Sequence, residues 1–102
     1  MNVTRENACL HLVTGSGREA LDACRAHSST GDVILFLDTG VMHLLDNGEK
    51  PLPDGGPDVF YASADLQARG IYETAVSSGV QLADDAEFVR LLRECSHCLS
   101  WQ

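Results

Sequence analysis

The residues in this chain best suited to covalent chemistry are its four cysteines, Cys9, Cys24, Cys95 and Cys98. A cysteine can act as a nucleophile, bind a metal or form a disulfide, depending on its pKa and on the redox compartment. The N-terminal residues 1–7 are polar and mixed in charge, and they lack the apolar stretch of a secretory signal. We therefore expect a cytoplasmic protein whose thiols stay reduced.

Cys95 and Cys98 form a CxxC motif with Ser96 and His97 between them. In thiol oxidoreductases this motif opens a helix, whose N-terminal dipole lowers a thiol pKa. Here the motif closes a predicted helix, where the dipole acts in the opposite direction. A structural zinc site needs four ligands, which Cys9 and His11 would complete only if their strand lay beside the motif. We favour ordinary thiols, with no metal and no cofactor, over a zinc site or a regulatory disulfide between the two.

Cys24 lies on the inner half of a predicted helix, so the residue pattern alone favours a small, buried, apolar side chain. The four histidines, His11, His27, His43 and His97, show no catalytic spacing. Thr14-Gly15-Ser16-Gly17 follows a predicted strand and opens a helix, a place where phosphate-binding loops occur. Its glycine spacing matches neither common phosphate-binding motif, so we favour an ordinary tight turn.

Apolar runs and glycine- or proline-rich breaks alternate along the chain. Strands are predicted at 8–13, 33–37, 59–62, 80–82 and 98–101, and helices at 18–27, 41–45, 64–69 and 85–94. Ser16, Ser63 and Asp84 are the predicted N-caps, Gly70 ends the third helix, and residues 46–57 form a long loop. Phe88, Val89, Leu91 and Leu92 are expected to face inward. This order predicts an α/β fold, a small three-layer domain with a mostly parallel sheet.

The length of 102 residues fits one domain, and no apolar run is long enough to cross a membrane. The formal net charge is −8, and the seven basic residues are scattered. Because nucleic-acid binders need clustered Lys and Arg against phosphate, direct binding to nucleic acid is not expected. A basic protein partner or a neutralising subunit fits this charge better.

Four segments in order resemble the DsrH/TusB family. They are residues 10–24, which end in Ala20-Leu21-Asp22-Ala23-Cys24, then residues 31–41, then Tyr61-Ala62-Ser63-Ala64-Asp65-Leu66-Gln67-Ala68-Arg69-Gly70, and finally Phe88-Val89-Arg90-Leu91 with Trp101. The third segment is similar to the family's Tyr-Ala-x-x-Asp-Leu-x-Ala-Arg-Gly stretch and is the most specific of the four. The resemblance covers residues 8–102 and leaves residues 1–7 as an N-terminal extension. Thr39 and Met42-His43 differ from the family pattern.

The resemblance implies a DsrE/DsrF-like fold and a subunit of a cytoplasmic sulfur relay complex. Such a heterohexamer, of the DsrEFH/TusBCD type, contains DsrE/TusD-like and DsrF/TusC-like subunits and hands persulfide sulfur to a downstream carrier protein. The sulfur serves either 2-thiouridine formation at the tRNA wobble position or sulfur oxidation. The chain would act as a carrier or scaffold more than as an independent enzyme.

The resemblance also singles out Cys24, because the sulfur-oxidising branch carries a cysteine at this position of the first helix. Cys24 is therefore the candidate persulfide acceptor. His27, one helical turn later, is the candidate activator that would lower its pKa. The alternatives are a stand-alone thiol redox module that uses Cys95 and Cys98, and a purely structural oligomerisation subunit.

Overall fold

A computed structural model describes residues 5–45 and 56–102. The strands are β1 (Arg5–Val13), β2 (Val33–Phe36), β3 (Asp58–Ala62), β4 (Gln81–Ala83) and β5 (Cys95–Trp101). The helices are α1 (Arg18–His27), α2 (Ser63–Ala68), α3 (Tyr72–Ser78) and α4 (Asp85–Glu94), with a 3₁₀ helix at Asp38–Leu45. Most of the predicted loop at 46–57 lies outside the described residues.

The five strands form one parallel sheet in the order β4-β3-β2-β1-β5. The predicted α/β fold is therefore confirmed. All four residues of β2 are buried, because this strand lies inside the sheet with apolar clusters against both faces. β1 lies between β2 and β5, so side chains of β1 can contact residues from both neighbouring strands. β5 is an edge strand.

Two apolar clusters cover the two faces of the sheet. The α1-side cluster contains Val13, Leu21, Cys24, Phe36 and Tyr61 among its buried members, and Trp101 packs against it. The α4-side cluster contains Leu10, Val33, Leu35, Phe60 and Leu91, with Phe88 and Cys95 packed against it. Within the described residues, Leu91 of α4 is the buried helical side chain of the α4-side cluster.

The structure corrects several predicted helix details. Gly17, not Ser16, is the N-cap of α1, and Ala62, not Ser63, is the N-cap of α2. The prediction for Asp84 is confirmed, because its side chain accepts a hydrogen bond from the Glu87 N–H at 2.8 Å.

The inward face of α4 is narrower than predicted. Leu91 is buried, but Val89 and Leu92 are each 44% exposed. Within residues 5–45 and 56–102, α4 is the helix that contributes to the cluster on this face, and its flanks stay exposed. α3 was not predicted at all. Its sequence is mostly polar, and among its residues only Ala75 is buried.

Candidate functional site

A buried polar chain connects three elements on the α1 side of the sheet. Trp101, at the end of β5, donates its indole N–H to Nδ1 of His11 at 3.0 Å. His11, on β1, is 1% exposed, and its Nε2 lies 3.0 Å from Oδ2 of Asp32. Since Nδ1 accepts the indole proton, the proton of a neutral His11 ring resides on Nε2 and is donated to Asp32.

Asp32 is held by more than His11. Its carboxylate also accepts the Cys9 N–H at 3.0 Å and the Ser29 N–H at 3.1 Å. Burial alone would raise the pKa of the Asp32 carboxyl. The hydrogen bonds from Cys9, His11 and Ser29, with the field of His11, outweigh burial and hold that pKa below its usual value. The carboxylate therefore stays ionised and fixes the His11 ring.

His27 also packs against the Trp101 indole. The two ring centroids are 5.0 Å apart, and the planes are tilted by 39°. The Nδ1–H of His27 donates to the carbonyl oxygen of Ala23 at 2.9 Å, which directs the ring along α1. His27 is exposed, whereas His11 is buried. Trp101 thus lies between a buried histidine of the sheet and an exposed histidine of α1.

Cys24 is 0% exposed and belongs to the cluster against which Trp101 packs. Burial, followed by the fields of Cys9 and Asp32, raises the pKa of the Cys24 thiol to about 12, and Arg25 lowers it by less. At neutral pH the thiolate is therefore strongly disfavoured. In this conformation Cys24 is a core residue, as the residue pattern alone indicated, and its role as acceptor stays a prediction.

The role of His27 as activator also stays a prediction. Its imidazole lies against Trp101, and its Nδ1–H is already donated to Ala23. The cation that opposes the raised pKa of Cys24 is Arg25. Any direct help from His27 to the Cys24 thiol would therefore require the contact with Trp101 to change.

The CxxC segment lies in β5, with Cys95 as the C-cap of α4. Cys9, Cys24, Cys95 and Cys98 are all thiols. β5 is adjacent to β1, with Cys9 opposite His97 and Leu10 opposite Cys98, so the strand adjacency that a zinc site would need is present. Within residues 5–45 and 56–102, however, no group of three His, Cys, Asp or Glu side chains is placed to hold a metal ion.

The pKa values of Cys98, on the edge strand, and of Cys9, on the strand beside it, are not lowered. Burial raises the pKa of Cys98, and burial with the fields of Asp32 and Cys98 raises that of Cys9, although a hydrogen bond with the Leu99 backbone lowers it in part. A thiol oxidoreductase needs a thiol pKa that is lowered.

The loop between β1 and α1 is fixed by backbone contacts. The Thr14 N–H donates to the Trp101 carbonyl oxygen at 2.9 Å. A Cβ on Gly15 would lie 2.6 Å from the carbonyl carbon of Gln102, so the end of the chain packs against this loop. The geometry agrees with the expected tight turn.

Two residues that differ from the family pattern also hold this loop. Thr39 donates its hydroxyl proton to the Thr14 carbonyl oxygen at 2.8 Å. His43 is buried, donates from Nε2 to the Gly15 carbonyl oxygen at 2.9 Å and packs on Phe36. These side chains tie the 3₁₀ helix to the loop, a role that their types alone did not indicate.

The most specific family-like segment holds the end of β2. Asp65 accepts the Asp38 N–H at 2.9 Å, and Arg69 donates to the carbonyl oxygen and side chain of Asp38, the latter at 2.7 Å. Asp38 has a φ of 54°, an uncommon conformation for a residue other than glycine. Asp65 and Arg69 therefore stabilise the strained junction between β2 and the 3₁₀ helix.

Sequence reasoning missed the Asp32–His11–Trp101 chain. Asp32 lies outside the predicted helices and strands, and His11 and Trp101 are 90 positions apart. A histidine and a tryptophan in two predicted strands were the available signal, because each has a polar atom that needs a partner when buried. Which atoms meet depended on β1 lying between β2 and β5.

The fold and site define a class, a small α/β domain with a parallel sheet and a buried cysteine on its first helix. The family model described as DsrH like protein matches residues 15–97. The chain therefore belongs to the DsrH-like family, which confirms the resemblance to DsrH/TusB. A search of curated proteins found no match. In the described part of the chain, no helix is long and apolar enough to span a membrane.

Proposed function

We propose that this chain is the DsrH-type subunit of a cytoplasmic sulfur relay complex. It would assemble with DsrE/TusD-like and DsrF/TusC-like subunits, as in a heterohexamer, and hand sulfur to a downstream carrier protein. The observation that carries the proposal is the family match over residues 15–97, which includes α1 and Cys24. The sulfur would serve tRNA 2-thiouridine formation or sulfur oxidation.

Cys24 is the proposed acceptor, and the step is thiol–persulfide exchange. The Cys24 thiolate attacks the outer sulfur of a donor persulfide, R–S–SH. The bond between the two donor sulfurs breaks, and a new S–S bond forms on Cys24. The donor leaves as R–S⁻, and Cys24 becomes Cys24–S–SH, so atoms, charge and the proton balance without an external oxidant. The step needs an accessible thiolate, which the buried Cys24 side chain does not supply.

Exposed apolar side chains support association with other subunits. Val89 and Leu92 on α4 are each 44% exposed, and Leu99 on β5 is 46% exposed. β5 is also an edge strand, and its seven residues carry no Lys, Arg, Asp or Glu. Exposed edges without charges are the kind of surface that partners cover.

The alternative of a redox module that uses Cys95 and Cys98 has less support. Burial raises the pKa of Cys98, and Cys95 caps the C-terminal end of α4, where the helix dipole disfavours a thiolate. The structural oligomerisation subunit differs from our proposal only in lacking sulfur on Cys24.

Assembly is tested by co-expression with DsrE/TusD-like and DsrF/TusC-like subunits, followed by native mass spectrometry. We expect one complex that contains this chain and two related subunits. A variant with Leu99→Lys, compared with Gln67→Lys on exposed α2 as a control, should weaken assembly if β5 is covered. If the chain elutes alone at micromolar concentration despite soluble partner subunits, the proposed complex is wrong.

A further inference from the structure

Cys24 presents a problem of access. Its side chain is 0% exposed, so no donor can reach its sulfur in the closed conformation. Buried thiols react only through a fluctuation that opens part of the structure. The relevant question is which of the surrounding elements can move without unfolding the sheet.

The surrounding elements differ in how firmly they are held. β1 and β2 are inner strands paired on both sides. β5 is paired on one side only, and its residues 96–100 are exposed. Trp101 is the side chain that β5 contributes to the cluster containing Cys24. The backbone at the end of β5 is held by the Thr14 N–H on the Trp101 carbonyl oxygen, so the movable boundary of this cluster is the Trp101 side chain.

A small set of contacts holds the Trp101 side chain. Its indole N–H is bonded to His11 Nδ1, and its ring lies against His27, which is three residues after Cys24 on α1. His11 cannot turn away, because its other nitrogen is bonded to Asp32, and Asp32 is fixed by two backbone N–H groups. A buried carboxylate thus orients an imidazole ring that accepts one hydrogen bond from an edge residue.

We propose that Trp101 is a latch over Cys24, and that His11 and Asp32 are positioning residues that hold the latch closed. When the indole N–H leaves His11, Trp101 separates from His27, the gap between α1 and β5 opens, and Cys24 meets solvent. Exposure removes the desolvation that disfavours its thiolate. The inference rests on the proposed function only for the identity of the incoming group, a persulfide; the latch itself rests on the contacts of Trp101.

The latch is tested on the full chain by the rate of iodoacetamide labelling at Cys24, measured by peptide mapping. Trp101→Phe keeps an aromatic ring but loses the N–H, and Trp101→Ala loses both. We expect Cys24 to label roughly fivefold faster in Trp101→Phe and roughly a hundredfold faster in Trp101→Ala. Ser100→Ala changes an exposed side chain of the same strand and should leave the rate unchanged.

A spectroscopic readout separates a latch from general destabilisation. Trp101 is the single tryptophan, so its fluorescence reports its own surroundings. His11→Leu removes the acceptor and should shift Trp101 emission to longer wavelength while circular dichroism stays native. His11→Gln supplies an amide oxygen as acceptor and an amide N–H for Asp32, so it should restore both the emission and slow labelling of Cys24.

The dependence of labelling on urea gives the decisive comparison. Opening of a latch exposes little surface, so labelling of Cys24 below the unfolding transition should depend weakly on urea. The latch is wrong if Cys24 labels in these variants only with the urea dependence of global unfolding, or if Trp101→Phe and His11→Leu leave its rate unchanged. If Trp101→Ala fails to fold, the labelling rates of Trp101→Phe and His11→Leu decide whether the latch exists.

Persulfide transfer is measured separately with the same variants. Faster labelling of Cys24 without sulfur gain would leave the latch standing and contradict the proposed function. We also compare the rate of sulfur gain on Cys24 between the parent chain and Trp101→Phe. Equal rates would contradict the latch.

Discussion

His11 and Asp32 form a buried pair in which Nε2 of the ring lies 3.0 Å from Oδ2 of the carboxylate. In hydrolases an Asp–His pair of this kind orients the ring toward a nucleophile. Here the remaining ring nitrogen accepts the indole proton of Trp101 instead. The pair therefore anchors the end of an edge strand. Its loss should lower the free energy of unfolding and increase access to Cys24.

Replacement of Asp32 should destabilise the fold. Asp32→Asn keeps the shape but offers one oxygen to three donors, the N–H groups of Cys9 and Ser29 and the Nε2–H of His11. We expect a loss of about 1–3 kcal/mol in the free energy of unfolding, since a buried donor is left without its acceptor. Urea unfolding at neutral pH measures it. Asp22→Asn, on the exposed side of α1, is the matched control and should change little.

Asp32 should also make stability depend on acidity. Its folded pKa is lowered from the ordinary carboxyl value, so its contribution is complete above the unfolded-state pKa of about 4. That contribution is lost as the pH falls through the lower, folded pKa. Unfolding free energies measured from about pH 6 down to about pH 2 should fall more steeply in the parent chain than in Asp32→Asn. Parallel curves would contradict the assignment.

Gly40 should not accept a side chain. A Cβ at this position would overlap the Val13 carbonyl oxygen, which also accepts the Leu37 N–H at 3.1 Å. Because the obstruction is backbone, we expect Gly40→Ala to cost about 3 kcal/mol or more, or to prevent folding. Gly17→Ala is the control, since a Cβ there meets nothing within 4 Å. Equal melting temperatures of the two variants would show that the 3₁₀ helix can move away.

Much of the fold could be predicted from local sequence, and the errors of that prediction have physical causes. β2 and α4 were predicted because a continuous apolar run and an Asp N-cap act through neighbouring residues. α3 was missed because its stability comes from packing Ala75 and not from its own sequence. Ser16 has the right chemistry for an N-cap, but the helix begins one residue too late for it to serve.

The candidate site was predictable only in part. Cys24 was named on resemblance, and its burial agrees with its periodicity. The contacts that determine its reactivity come from strands that are far apart in the chain, since His11, Asp32 and Trp101 meet only through the order of the sheet.

In the isolated chain, the thiols should react in the order of their exposure. Cys98 is exposed, Cys9 and Cys95 are half-buried, and Cys24 is buried with its pKa raised to about 12. We expect iodoacetamide near neutral pH to label Cys98 first and Cys24 last, with peptide mapping as the readout. Early labelling of Cys24 would mean that the Trp101 latch is already open in solution, and the burial of Cys24 would not represent the resting state.

The central claim is that sulfur arrives at Cys24 in the assembled complex. The measurement is mass spectrometry of the cysteine peptides after the complex of this chain with its related subunits is incubated with a persulfide donor. We predict the mass of one added sulfur atom on the Cys24 peptide, its loss in Cys24→Ala, and normal transfer in Cys98→Ala. An unmodified Cys24 peptide while a partner subunit's cysteine gains sulfur would contradict the account and make this chain a scaffold.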